Sequence, residues 1–221
     1  MAPAERSDGS EVQRRGGLRE AQRRFTRQHI LDAARGVFIE RGFMATSVED
    51  IIERAGTSRR TFYAHFRSKT EVLVEIGRAL VPEIQDTYRR LDEALATGSR
   101  EALRAWFEST MEWCERNGSL MPVWEQAAAM EAEPSAQRRE LVRSYTDFMP
   151  AYLARWPKAS REEARLRVVL LTVQLDRFFG HWSPQEMQPG ERELAAEALT
   201  NIWDAALRPP TGRAKTAGRN G

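Results

Sequence analysis

The residues best suited to chemistry in this sequence form a short polar run, Ser58-Arg59-Arg60-Thr61, which follows a Gly56-Thr57 turn. A serine can cap the N-terminus of a helix, and the residues after it then occupy the first helical turn. An arginine there can donate two hydrogen bonds to one guanine, and a threonine methyl group can contact thymine. The run therefore predicts a surface that binds base edges in DNA.

Further polar side chains close to this run suit the phosphate backbone of DNA. Hydroxyl, imidazole and ammonium groups donate hydrogen bonds to phosphate oxygens, and such contacts position a protein on DNA without distinguishing its sequence. The complete set of predicted DNA-binding residues is Thr46, Ser47, Ser58, Arg59, Arg60, Thr61, Tyr63, His65 and Lys69.

Three short helices are predicted to hold these side chains. Apolar residues recur three and four positions apart from about Thr26 to Gly42, from Val48 to Gly56, and again at Phe62 and Phe66. Two helices joined by a glycine-containing turn form a helix-turn-helix, whose second helix enters the major groove. The spacing therefore predicts a helix-turn-helix that exposes residues 58–61.

The whole chain is predicted to be all-α, because alternating strand patterns are scarce and helical spacing continues to about residue 207. We predict about nine helices, the later ones near 99–116, 120–131, 135–155, 160–182 and 190–207. The predicted organisation is a flexible basic arm (1–24), a helix-turn-helix domain (25–70), a helical effector-binding and dimerisation domain (71–207), and a disordered tail (208–221). The arm either contacts DNA or is a disordered basic segment.

Charge is distributed unevenly along the chain. Residues 1–70 hold 14 basic and 9 acidic residues, whereas residues 71–207 hold 16 basic and 23 acidic residues. A basic first third favours a polyanionic partner for that part. Ordinary solvated helix faces can produce a similar imbalance, so charge alone does not decide the partner.

Several classes of protein are disfavoured by the composition. No segment has the apolar length of a membrane span or the pattern of a signal peptide, and a lone cysteine, Cys114, allows no intrachain disulfide. Phosphate-binding glycine loops, HExxH and Cys/His metal clusters are missing, and the three histidines are scattered. We therefore expect a cytoplasmic protein with no membrane partner that is not an enzyme, with no catalytic residue, metal or cofactor.

Residues 26–73, TRQHILDAARGVFIERGFMATSVEDIIERAGTSRRTFYAHFRSKTEVL, resemble the N-terminal domain of TetR-family regulators. The matching features are Gly42-Phe43, Thr46-Ser47, Ala55-Gly56 and the run from Thr61 to Lys69. Thr57 departs from the valine that is frequent in the family, a change that a surface position tolerates. The resemblance implies a homodimer formed by the last two helices, a C-terminal pocket for a small effector, and loss of DNA binding when that effector is bound.

Aromatic residues are dense after residue 100, and the resemblance places some of them on helices that line the effector pocket. Any one of them could instead belong to the core. The helices near 160–182 and 190–207 carry apolar rows, which include Leu166 with Leu170 and Leu194 with Ile202. Such rows suit a two-fold interface between two chains, although burial within one chain would produce the same pattern. The candidate effector-binding residues are Trp106, Trp113, Trp124, Phe148 and Phe178.

The favoured function is a dimeric repressor that a small apolar or aromatic effector releases from a palindromic DNA operator. An activator, or a regulator that needs no ligand, would have the same sequence features. A helical protein-interaction module with an incidental basic surface is the alternative outside DNA binding.

Overall fold

The computed structural model describes residues 8–182 and 186–209, and these residues form helices and turns without a strand. The all-α prediction is confirmed. No helix within this described part is long and apolar enough to span a membrane. Its α-helices are α1 Asp8–Ala45, α2 Val48–Arg54, α3 Arg59–His65, α4 Lys69–Thr97, α5 Arg100–Asn117, α6 Met121–Met130, α7 Ala132–Ser144, α8 Pro150–Ala154, α9 Arg161–His181 and α10 Pro189–Leu207.

Helix α1 begins earlier than the sequence pattern predicts. The predicted start near Thr26 is wrong, because α1 begins at Asp8 and residues 8–24 are helical instead of forming an irregular arm. Glutamate, glutamine and arginine are good helix formers, so a helix already packed after residue 26 can extend backwards through them. Residues 1–7 of the predicted arm and residues 210–221 of the predicted tail lie outside the described residues.

The chain divides into two compact units, and the described part of the first comprises residues 8–79 and 122–135. The predicted helix-turn-helix domain, residues 25–70, lies within this unit. Val72 and Leu73 of α4 are fully buried, and the ring of Trp124 lies against Gly77, where an added Cβ would be 2.2 Å from it. These contacts assign the start of α4 and most of α6 to the same unit as α1, α2 and α3.

Helix α1 is interrupted near its end at Gly42, whose φ is 76° and ψ is 170°. This conformation is accessible to glycine and strained for other residues. The side chain of Gln126 occupies the space beside it: Gln126 Oε1 accepts a hydrogen bond from the backbone N–H of Met44 at 3.3 Å. A Cβ added at Gly42 would lie 2.8 Å from that oxygen. Both the backbone and the neighbouring side chain thus require glycine here.

We expect Gly42→Ala to lower the free energy of unfolding by about 1–3 kcal/mol, the usual cost of a residue in a glycine-only conformation. Urea unfolding followed by circular dichroism measures this change. Gly118→Ala is the matched control, because Gly118 has a helical φ of −61° and nothing within 4 Å of an added Cβ. Equal stabilities of the two variants would show that Gly42 is not strained.

The second unit comprises the described residues 80–121, 136–182 and 186–209. Helices α5 and α10 pack together in it, and Trp203 contacts Trp106 and Phe107 with ring centroids 5.1 and 5.3 Å away. Trp203 is fully buried, and the indole N–H of Trp106 donates to the carbonyl of Thr87 at 2.8 Å. Much of the aromatic content of the second unit therefore forms its core.

The single helix predicted for residues 135–155 is divided in the structure. Helix α7 ends at Ser144, a 3-10 turn follows at Tyr145–Phe148, and α8 starts at Pro150. Proline cannot supply the backbone N–H that a continuous helix needs, but it is favourable in a first helical turn. The carboxylate of Asp92 on α4 accepts hydrogen bonds from Ala151 N (3.0 Å) and Tyr152 N (2.6 Å). The start of α8 is thus capped by a residue far away in sequence.

Candidate nucleic-acid interface

Helix α2 and the turn after it adopt the helix-turn-helix arrangement. Ser47 Oγ accepts from the backbone N–H of Asp50 at 3.1 Å, and the Asp50 carboxylate accepts from Ser47 N at 2.7 Å. These reciprocal bonds form a capping box, which satisfies N–H groups at the start of α2. Helix α2 ends before Gly56, whose φ of 56° turns the chain towards α3. The predicted turn at Gly56 is confirmed.

The orientation of α3 is set by its two phenylalanines. Phe62 is fully buried and Phe66, its C-terminal cap, is 1% exposed, with their ring centroids 6.0 Å apart. At the other end, Ser58 Oγ accepts from the N–H of Thr61 at 3.0 Å. Because one face of α3 is buried in this way, its first turn and Tyr63 face outward.

Three of the predicted DNA-binding side chains are exposed on α3. Arg59 forms an exposed ion pair with Glu49 (Nη2 to Oε1, 3.2 Å) and lies over the Tyr63 ring at 5.9 Å. Arg60 is exposed and has no partner among the described residues, and Tyr63 is 47% exposed. Arg60 can thus bind a ligand directly, and the exposed ion pair of Arg59 with Glu49 is weak enough to be exchanged for one.

Two of the predicted phosphate-binding side chains, Thr46 and Lys69, are engaged in hydrogen bonds within the first unit. Thr46 is 2% exposed, and its hydroxyl donates to the carbonyl of Gly42 at 2.6 Å. The ammonium of Lys69 donates to the carbonyls of Phe43 (2.7 Å) and Thr46 (2.6 Å). Burial lowers the pKa of Lys69, although Glu131 and Asp50 oppose this change. The Thr46 hydroxyl and two of the three N–H groups of the Lys69 ammonium thus stabilise the end of α1.

His65 at the end of α3 is partly buried. Burial lowers its pKa, and the positive charges of Arg23 and Arg27 lower it further. At neutral pH its imidazole is therefore mostly uncharged, so it can donate one hydrogen bond but contributes little positive charge. The proximity of Arg23, which belongs to the early part of α1, is a feature that the sequence pattern did not indicate.

The five predicted effector-binding residues are divided between the two units. Trp124 belongs to the first unit, and Trp106 is 4% exposed and packed in the core of the second. Trp113, Phe148 and Phe178 are partly buried in the second unit. Trp113 Nε1 donates to Glu83 at 2.9 Å, Arg89 lies 5.4 Å from the Phe148 ring, and Phe178 stacks on Trp182 at 5.9 Å.

A groove of about 320 Å³ lies elsewhere in the second unit, and none of the five residues lines it. Arg155, Asp204 and Arg208 make part of its lining charged. Its other lining residues are Ala94, Leu95, Gly98, Ser99, Leu103 and Leu207.

Comparison with known proteins relates both the sequence and the fold to one group of regulators. Residues 30–76 match the model for bacterial regulatory proteins of the tetR family. The transcriptional activator FasR of Mycolicibacterium smegmatis is 26% identical over 190 residues, which are 85% of each chain. The transcriptional repressor KstR2 of Rhodococcus jostii is 34% identical over 101 residues, which are 45% of this chain and about half (48%) of KstR2.

Solved structures support the same relationship at the level of the fold. A TetR-family regulator from Mesorhizobium loti has a TM-score of 0.60 at 17% identity, covering 83% of this chain and 96% of that one. A regulator from Aquifex aeolicus has a TM-score of 0.59 at 19% identity, covering 81% of this chain and 98% of that one. With the helix-turn-helix of α2 and α3, the match over residues 30–76 shows that this segment is a domain of the tetR family of bacterial regulatory proteins, and the solved structures show that the chain shares their fold.

Proposed function

We propose that this protein is a dimeric repressor that binds a palindromic DNA operator through α3 and is released by a small apolar or aromatic molecule. The proposed DNA binding is supported by the exposed first turn of α3, where Arg59 and Arg60 point away from the buried Phe62. A helix held in this way can enter a major groove by its N-terminus. The proposed activity is binding without catalysis, and it takes place in the cytoplasm.

The proposed dimer uses the outward faces of α9 and α10. Leu166 (55% exposed) and Leu170 (60%) lie one helical turn apart on α9, and Leu194 (71%) and Ile202 (45%) lie on one face of α10. Burial within one chain therefore does not explain these rows. Two helices from each chain packed about a two-fold axis would form a four-helix interface that buries them.

Activation is the second candidate mode of regulation, and the similarity to FasR favours it, because that match spans most of both chains. The repressor proposal rests on KstR2, which is more similar in sequence over a shorter range. An assay of transcription from a promoter that carries the bound DNA sequence distinguishes the two. Added protein would reduce transcript from such a promoter if it is a repressor and increase it if it is an activator.

The proposed effector site contains Trp113, Phe148 and Phe178, the three predicted residues that are partly buried in the second unit. Aromatic walls with a few polar groups suit an apolar or aromatic molecule. A panel of such compounds, added to the protein–DNA complex, is expected to include one that releases the DNA. The Trp113→Ala variant should then need more of that compound, whereas no release by any of the panel would contradict the proposal.

The DNA-binding proposal predicts that Arg60→Ala loses discrimination between DNA sequences. A bidentate arginine contact with guanine contributes about 1–3 kcal/mol of discrimination, so we expect the preference for the bound sequence to fall by about 5-fold or more. The measurement is fluorescence anisotropy with a duplex selected from a random-sequence library by the wild-type protein, alongside a scrambled duplex of equal length.

Arg90→Ala is the control for this experiment, because Arg90 is an exposed arginine of the second unit that pairs with Asp86. It removes the same charge and should leave the preference unchanged. A wild-type protein that binds selected and scrambled duplexes equally would overturn the proposed function and favour a protein-interaction module with an incidental basic surface.

A further inference from the structure

The early part of α1 is an exposed helix with one strongly basic face. All residues from 17 to 24 are exposed, and residues 17–27 hold four arginines and one glutamate. Arg19, Arg23 and Arg27 recur every four residues, a spacing that places them on one face of a helix. Leu18 (72% exposed) and Phe25 (67%) are seven residues apart and share the opposite face. Charged and apolar side chains are thus separated around this helix.

This basic face is fixed in position beside α3. The Arg27 guanidinium lies 4.4 Å from the centre of the Phe66 ring and forms an ion pair with Glu75 at 3.4 Å. Two residues later, His29 Nε2 is 3.1 Å from the carbonyl of Ala55, at the turn between α2 and α3. These contacts hold α1 against the helix-turn-helix where its basic face passes the end of α3.

Arg23 lies one helical turn before this anchored point, and its charge, like that of Arg27, acts on His65 at the end of α3. Neither Arg19 nor Arg23 has an ion-pair partner among the residues whose side chains the structure describes. Arg24, by contrast, pairs with Glu20 at 3.1 Å. Two unpaired guanidinium groups therefore extend the basic surface beyond α3.

We propose that Arg19 and Arg23 form a second DNA-contact element, in which they bind backbone phosphates that flank the groove entered by α3. The proposal rests on the proposed function and adds a site to it. Guanidinium groups bind phosphate oxygens in a bidentate manner, and a row of them along one helix matches the repeating charge of a DNA strand. Such contacts increase affinity without distinguishing sequences.

The test compares the salt dependence of DNA binding in the full-length protein and in an Arg19→Ala/Arg23→Ala variant. Each phosphate contact contributes about 0.9 to the slope of log affinity against log salt concentration, so the slope should decrease by about 1.8 per protomer. The affinity for selected and scrambled duplexes should fall by a similar factor, at least about 10-fold at low salt, with their ratio unchanged. Both positions are exposed and alanine favours helix, so circular dichroism should show an intact fold.

Two control variants show whether the effect is specific to the basic face of α1. Arg90→Ala/Arg116→Ala removes the same charge from exposed positions in the second unit and should leave the slope unchanged. Arg19→Lys/Arg23→Lys keeps the charge and should restore most of the slope. An unchanged slope in the alanine variant, or an equal decrease in the control, would overturn this inference. If the wild-type protein does not discriminate between duplexes, the proposed function fails. The salt dependence of binding to the scrambled duplex still tests whether Arg19 and Arg23 contact phosphates.

Discussion

Leu170→Glu is expected to convert the protein into a monomer and to weaken its binding to a palindromic duplex by at least about 100-fold. Leu170 is 60% exposed in the single chain and lies within the apolar row of α9 that is proposed to form the dimer. In a two-fold interface each substitution occurs twice, so two carboxylates would be buried in an apolar contact. A monomer binds one half of the duplex and loses the roughly 10²–10⁴-fold gain of simultaneous binding.

Sedimentation velocity at several protein concentrations measures the first effect, and anisotropy with the selected duplex measures the second. Met130→Glu is the control, because Met130 is also exposed (64%) but lies on α6, outside the proposed interface. It should remain a dimer with wild-type affinity. A Leu170→Glu protein that sediments as a dimer would show that the α9 row is not the interface.

The second large expected effect concerns the stability of the second unit. Asp92→Ala should lower the free energy of unfolding by about 3–6 kcal/mol, because hydrogen bonds to a charged group contribute about 1.5–3 kcal/mol each and two are lost. Asp92 is 7% exposed, and its carboxylate accepts from the backbone N–H groups of Ala151 and Tyr152. Without it, these groups at the start of α8 would be left without that acceptor.

Urea unfolding followed by tryptophan fluorescence measures this loss. Asp92→Asn retains one carbonyl oxygen as an acceptor and should lose less stability than the alanine variant. The neighbouring Glu93 is exposed, so Glu93→Ala should remain within about 0.5 kcal/mol of wild type. If Asp92→Ala matched Glu93→Ala, the carboxylate would not be capping α8 in solution.

The helix-turn-helix could be predicted from the sequence because its signals are local. The capping box of Ser47 and Asp50, the turn at Gly56 and the cap at Ser58 involve residues at most three positions apart. Phe62 and Phe66 stand one turn apart, so their spacing shows which face of α3 is buried. The all-α fold follows in the same way, since helical periodicity repeats within each segment.

Only the tertiary structure determined which polar and aromatic side chains are free, because that depends on residues distant in sequence. Thr46 has suitable chemistry for a phosphate, yet it is buried, and Lys69 bonds carbonyls 23 and 26 residues away. Trp106 and Leu170 are both apolar positions on helices, and only packing shows that one is core and the other is exposed. The capping of α8 by Asp92 spans about 60 residues. Local periodicity specifies helices and their faces, whereas packing decides what covers each face.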